Sequence, residues 1–266
     1  MGKSQTGMTR LYNNLTCKLL ACTLAAFTLV ISITARADSN DLEASSSTAL
    51  SVFDVGYTAQ LNGMAVEAAH QLRQLDNGQY QEVLEAKAAL GKVTEQATFD
   101  LIDGQIIPGE YSYNRSIIGL KRKELQRFDW ANLQMTFTRG KKTQQVEIQH
   151  GYMDKMTYKQ QMRRHLAAGH EDLTYPVLSR EKLKQYHFKL IGTEVLSTAI
   201  GPLNTSVIQR LTEDQSEQIK IWLASDWDYL LVKLEKRDQG EVQQMQISRG
   251  TLNNKPILPL TVDTEV

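Results

Sequence analysis

From residue 50 onward, apolar side chains recur mainly at every second position. Phe53, Val55, Tyr57 and Ala59 alternate with Asp54, Gly56, Thr58 and Gln60, the pattern of a strand with one buried face. Leu61-Asn62-Gly63 follows, and Asn-Gly supplies the positive φ angles that a hairpin turn requires. A second strand is predicted over 64–75, closed by Asp76-Asn77-Gly78. Alternation returns at Phe99 and Leu101 before Asp103-Gly104. It returns again at Leu133, Met135 and Phe137, after which 139–142 turns the chain into 144–149. Further strands are predicted over 186–190, 203–211, 218–223, 230–237 and 242–248. Residues 80–90 are rich in Ala and Glu, which favours helix by propensity, while their place in a meander favours strand. Turns at short intervals point to antiparallel architecture. No strand–helix–strand alternation is present, which argues against a doubly wound sheet.

Three segments break the pattern. Over 154–168, Tyr158, Met162 and Leu166 recur at four-residue spacing, with Tyr152 and Met156 extending the same face. Asp154 can cap this segment and Gly169 can end it, while Lys159, Gln161, Arg163 and Arg164 fall mostly elsewhere. That is an amphipathic helix of about four turns. Residues 110–120, following Pro108-Gly109, read as a loop, and the tail beyond 253–256 as irregular. The expected fold is mainly β: a curved antiparallel sheet or half-barrel, with one amphipathic helix packed on its concave side.

The first residues carry a different signal. Lys3, Arg10 and Lys18 precede an apolar run over 19–33, and Ala35-Arg36-Ala37 follows. This order of basic, apolar and small-residue parts is that of a secretory signal, with cleavage after Ala37. The run is short of the roughly 20 residues that a spanning helix needs. Leu19-Leu20-Ala21-Cys22 imitates a lipoprotein processing site but stands before the apolar core rather than after it. The expected organisation is therefore a signal peptide over 1–37, a flexible Ser-rich tail over 38–49, and one β-rich domain over 50–266. Both cysteines, Cys17 and Cys22, lie in the signal, so the exported part can form no disulfide and no thiolate metal site. The whole chain holds 30 basic and 30 acidic residues. Removing Lys3, Arg10, Lys18 and Arg36 leaves a net charge of −4, which excludes a basic nucleic-acid footprint.

Candidate chemistry is sparse. His70, His150, His165, His170 and His187 form no ligand-spaced motif, and satisfied or solvated histidines are expected. No nucleophile elbow, phosphate-binding loop or dinucleotide fingerprint is present. Asp226 and Asp228 could act as an acid pair or hold calcium, but the segment lacks the other oxygen ligands and the glycine of a calcium loop. Residues 121–123 and 139–142 are basic and read as solvated strand ends or a weak anion patch. No catalytic residue, metal or cofactor is assigned. What remains is apolar. A methionine-rich helix over an aromatic sheet suits either an ordinary core or an adaptable ligand wall, for which Met156, Tyr158, Met162, Leu166, Phe137 and Trp222 are the candidates.

Several stretches carry a resemblance when taken together. They are Phe128-Asp129-Trp130; 153–158 with Leu166-Ala167-Ala168-Gly169; 221–226 before Tyr229-Leu230-Leu231-Val232; the Tyr57 to Gly63 hairpin; and Gly192-Thr193-Glu194. The chain resembles the bacterial exported family termed domain of unknown function 3108 over about 51–248. That family carries no established activity to transfer. Its strand order is similar to the half-barrels of periplasmic lipoprotein carriers, where a curved sheet holds an apolar ligand under a helix. Trp222, the turn and 230–235 follow the hairpin of such sheets, with Leu231 standing where that pattern has proline. The resemblance implies fold and leaves function open. The expectation is a periplasmic, non-enzymatic binding or carrier module for a lipid or acyl chain, with no membrane anchor after cleavage. The alternative is an envelope structural or adaptor protein without a cavity, partnered by envelope proteins.

Overall fold

In a computed structural model, residues 49–61, 64–212 and 217–260 are described. The expected signal peptide, the expected tail up to residue 48 and the expected Asn62-Gly63 turn lie outside the described residues. Eight strands come first: β1 (Phe53–Leu61), β2 (Met64–Gln74), β3 (Tyr80–Ala88), β4 (Gly91–Ile102), β5 (Gln105–Ile117), β6 (Leu120–Asp129), β7 (Gln134–Arg139) and β8 (Lys142–Glu147). The helix α1 (Thr157–Ala167) follows. Then come β9 (Asp172–Ser179), β10 (Lys182–Thr198), β11 (Gly201–Leu211), β12 (Glu217–Ala224), β13 (Leu230–Asp238), β14 (Glu241–Leu252) and the short β15 (Lys255–Pro256). Among the described residues, the expected mainly-β fold with one helix is what forms.

All fifteen strands belong to one antiparallel sheet, ordered β8-β7-β6-β5-β4-β3-β2-β1-β14-β13-β12-β11-β10-β9, with β15 on β14. Two meanders are thus joined where β1 meets β14, Phe53 opposite Leu252 and Ala59 opposite Met245. The sheet is open but strongly curved. Its two ends approach each other: Gln126 of β6 donates from Nε2 to the carbonyls of Leu178 (3.2 Å) and Arg180 (2.7 Å) beside β9. Met153 bridges the gap, donating to Pro176 O at 2.9 Å and accepting from Leu178 N at 2.7 Å.

One open reading is settled and one expectation changes. Residues 80–88 are a strand, because tertiary pairing on both sides outweighs the helical propensity of Ala and Glu. The segment read as a loop over 110–120 is mostly β5, paired with β4 and β6. Pro108-Gly109 concealed it. The register shifts between Thr98 and Phe99, opposite this pair, so the proline sits at a bulge, where a missing N–H is tolerated. A side chain on Gly109 would stand 3.2 Å from Thr98 O.

Helix α1 begins later than expected, behind an N-cap residue, Met156, that makes no side-chain cap bond, and Asp154 instead holds the segment that leads into it. Asp154 Oδ1 accepts from Met156 N (2.7 Å) and Thr157 N (2.9 Å), and Thr157 Oγ1 accepts from Asp154 N at 3.0 Å. Its apolar stripe, Met162 and Leu166 with Tyr158 beside them, packs on Leu173, Tyr175, Val177, Tyr186 and Phe188 of β9 and β10. Met162 is 3% exposed. Met162→Ala should therefore cost about 2–5 kcal/mol, measured by denaturant unfolding. A loss below about 1 kcal/mol would mean that the site collapses around the deletion.

Candidate functional site

The sheet turns one face toward α1, and the strand register lays out that face in rows. One row runs Leu252, Phe53, Leu72, Glu82, Ala97, Tyr111, Gln126, Phe137 across β14 to β7. The next runs Val55, His70, Leu84, Glu95, Tyr113, Glu124. Acids thus interrupt an apolar surface. His70 and Glu82 are buried, with Nε2 and Oε1 2.6 Å apart, and the Phe53 ring stands edge-on to His70 at 4.9 Å. Tyr111 donates its hydroxyl to Glu95 Oε2 at 2.7 Å. Glu124, also buried, pairs with Arg122, with Arg180 at 3.2 Å and with Arg139 at 3.7 Å.

The polar side of α1 turns inward as well, contrary to the sequence expectation. Arg163 is buried and donates to Asp228 twice, from Nε to the carbonyl (2.9 Å) and from Nη2 to Oδ2 (2.8 Å). Gln161 Oε1 accepts from Ile106 N at 2.9 Å, and Arg164 Nε donates to Gly104 O at 3.1 Å. All three anchors lie at the same end of the sheet, on the β4–β5 and β12–β13 turns. The helix therefore fills that end. Asp228, at φ +51°, and Asp226, which accepts from Asn204 Nδ2 at 2.8 Å, both have structural partners.

Toward the other end, the same face opens into a trough. Leu84, Ala86 and Val93 on one wing, and Ala59, Met245, Leu234 and Ile219 on the other, point inward by register yet are only half-buried. Beside them stand Lys155, Lys184 and Arg210, with the Arg210 guanidinium 4.0 Å from the Tyr186 ring centroid. Partial burial holds the Lys184 ammonium below its ordinary range, and Arg210, Lys155, Lys182 and Arg180 push in the same direction. Burial lowers Lys155 too. The trough is thus apolar on its floor and cationic along one side.

The six candidate wall residues fall into three groups. Tyr158, Met162 and Leu166 share one cluster, and Met156 belongs to a second, with Phe53, Val55 and Tyr111. Phe137 lies in a third, with Met135, Ile148 and Leu178. Trp222 belongs to the same cluster as Met156, although its register puts it on the sheet's opposite face from Ile221, which packs with the helix stripe. The Trp222 Nε1 donates to Glu194 Oε1 at 2.5 Å, and Lys233 covers its ring at 4.2 Å. There the far half of the β10–β11 hairpin folds across β14, where Gln246 Nε2 donates to Ser197 O at 2.7 Å. The buried His70, Glu82 and Glu124 were missed as site residues. For His70 a signal existed, since it alternates in phase with the apolar Ala68 and Leu72.

This arrangement defines a class: a curved antiparallel half-barrel with a helix plugging one end and a partly apolar trough at the other. The sequence model of the family described as "Protein of unknown function (DUF3108)" matches residues 57–246, and the chain belongs to that family. Among solved structures, the chain is similar in fold to a beta-barrel-like protein of domain of unknown function DUF1849 from Brucella abortus. The match has a TM-score of 0.52 at 7% identity and covers 76% of this chain and 98% of that one. The MucA/MucB complex of Pseudomonas aeruginosa aligns more loosely, with a TM-score of 0.35 at 12% identity over 80% of this chain and 56% of that one. No curated protein matches.

Two outcomes test the buried polar groups. Burial pushes the Asp154 carboxyl up to about 6, against the backbone donors of Thr157 and Met156 that favour its ionised form; Glu82 adds to the rise. A raised carboxyl stabilises the fold below its unfolded value, and this stability is lost as pH rises through about 6. Asp154→Asn keeps the accepting Oδ1 and removes the charge. It should flatten the stability profile between about pH 4 and 7 and leave the protein at least as stable at neutral pH, as followed by thermal melts. His70→Leu should cost about 3–5 kcal/mol by leaving Glu82 buried without its partner, and adding Glu82→Leu should recover most of it. Equal stability of the single and double variants would refute this coupling.

Proposed function

We propose that this half-barrel is a binding or carrier module for an acyl chain or lipid of the cell envelope, working in the periplasm after cleavage behind Ala37 and without catalysis. The observation that carries this reading is the trough: Ala86, Val93, Leu234 and Met245 face inward but no side chain among the described residues fully covers them. Burying such surface in a ligand is favourable at about 25 cal/mol per Å². Lys155, Lys184 and Arg210 at the trough's side suit the acidic head of a fatty acid or phospholipid. The basic, apolar and small-residue order of 1–37 supports export. A second reading, an envelope adaptor acting through its surface, is favoured by the way α1 is filled in against Tyr175, Tyr186 and Phe188, which leaves the helix no ligand to cover.

Native mass spectrometry of gently purified protein should find a lipid adduct, and a fluorescent fatty acid should bind and be displaced by unlabelled oleate. Leu234→Glu places a charge on the trough floor and should weaken the fatty acid roughly tenfold or more without unfolding the chain. Protein that carries no adduct, binds no probe and crosslinks to envelope proteins would sink the carrier reading in favour of the adaptor.

A further inference from the structure

The hairpins at the end of the sheet away from α1 expose apolar side chains. Leu90 on the β3–β4 turn is 48% exposed, and Ile118 and Leu120 on the β5–β6 turn are 58% and 70% exposed. The two turns are tied together, with Ile118 N donating to Leu90 O at 3.0 Å. Ile118 and Gly119 both have positive φ, +46° and +76°, as a tight hairpin turn demands. Asn or Asp ordinarily holds the first of these positions, and a β-branched residue there is a conformational outlier. Asp103-Gly104 meets the same requirement without strain. Ile118 is thus held in an unfavourable backbone region while its side chain points into solvent. Packing among the described residues does not account for it.

The surroundings are strongly cationic. Residues 85–92, 116–123 and 139–142 contain eight basic side chains and one acid, Glu85, in a chain whose 30 basic and 30 acidic residues balance overall. Glu85 pairs with Lys87 at 2.7 Å and with Lys92, and the buried Glu124 takes Arg122 and Arg139. Lys121, Lys123, Lys141 and Lys142 remain on the exposed rim. Between the turns lies an open cavity of about 490 Å³, lined by 87–92, Ser116, Ile118 and Gly119. A second, of about 220 Å³, adjoins it on the outer face between Lys92, Thr94, Asn114, Lys121 and Lys123.

We infer that this end of the half-barrel docks on an anionic phospholipid bilayer. Leu90, Ile118 and Leu120 enter the interface, the lysine rim meets the headgroups, and the outer cavity receives a phosphate. Exposed apolar tips inside a ring of lysines are complementary to such a surface and to no neutral one. The trough opens at the same end, so docking would bring its mouth to the bilayer. The inference does not depend on the trough being a ligand site.

The test uses the protein as cells process it, with its N-terminus read by mass spectrometry and identical in every variant. Wild type should sediment with phosphatidylcholine vesicles that contain phosphatidylglycerol, more weakly at high salt, and poorly with phosphatidylcholine alone. Leu90→Ser, Ile118→Asn and Leu120→Ser combined should lower the partition coefficient roughly tenfold or more. Lys121→Glu with Lys123→Glu should remove the preference for phosphatidylglycerol. Ile118→Asn alone guards against a folding artefact. Asparagine suits the left-handed turn, so this variant should melt at a higher temperature while binding vesicles less. Wild type that ignores both vesicle types, or a triple variant that binds as wild type does, overturns the inference.

Discussion

The pairing of β1 with β14 is the constraint on which the rest of the molecule depends. It brings together strands from the two ends of the chain, in the middle of the sheet rather than at its edge. From that seam, one meander runs outward to β8 and the other to β9. The chain must then cross from one edge of the sheet to the other, and the curvature of the sheet makes the crossing short by bringing the edges together. The crossing segment passes through Met153 and α1, and the apolar stripe of the helix, packed on β9 and β10, holds it inside the curve. Contacts this distant in sequence must close long loops before they stabilise anything, which favours slow folding with late consolidation of the seam.

A helix buried on more than one side cannot be held by an apolar stripe alone. Its polar groups need partners away from water, since each unsatisfied one costs about 1–3 kcal/mol. Arg163, Gln161 and Arg164 find theirs on the β4–β5 and β12–β13 turns. These bonds position the helix at one end of the half-barrel and leave the other end unfilled. The plug and the trough are two results of one anchoring geometry. The acids on the facing rows, Glu82, Glu95 and Glu124, belong to the same balance: they sit opposite a segment carrying Lys155, Lys159 and Arg163. A purely apolar interior would have been simpler to stabilise but would not have fixed the helix in this register.

The two ends of the sheet differ for that reason. Turns at the plugged end are engaged: Gly104 and Asp228 accept bonds from the helix. The β3–β4 and β5–β6 turns at the open end bond to one another, and there the chain presents lysines and apolar tips, with Ile118 in a backbone region that isoleucine avoids. Strain of this kind, about 1–3 kcal/mol per residue, persists where surrounding structure over-determines it and is often found at functional positions.

The alternation of Phe53, Val55 and Tyr57, the recurrent turn dipeptides and the four-residue spacing of Tyr158, Met162 and Leu166 determined by themselves that the protein is an antiparallel β structure with one amphipathic helix. Those are local properties, set by periods of two and 3.6 residues. The fate of residues 80–88 and 105–117 was decided by neighbours. Propensity and a Pro-Gly pair spoke against strand, and cross-strand pairing on both sides overruled them. The same holds for the six candidate wall residues. Trp222 and Leu223 are adjacent in the chain and lie on opposite faces of the sheet, and the bulge opposite them in β13 sets which neighbours each face meets. The union of His70 with Glu82, of Arg163 with Asp228, and of Leu90 with Ile118 joins residues with no motif between them. Adjacent-strand register brings the first and third pairs together within one meander, and the crossing of the helix between the two meanders brings Arg163 to Asp228, because side chains far apart in sequence acquire a common environment solely through tertiary pairing.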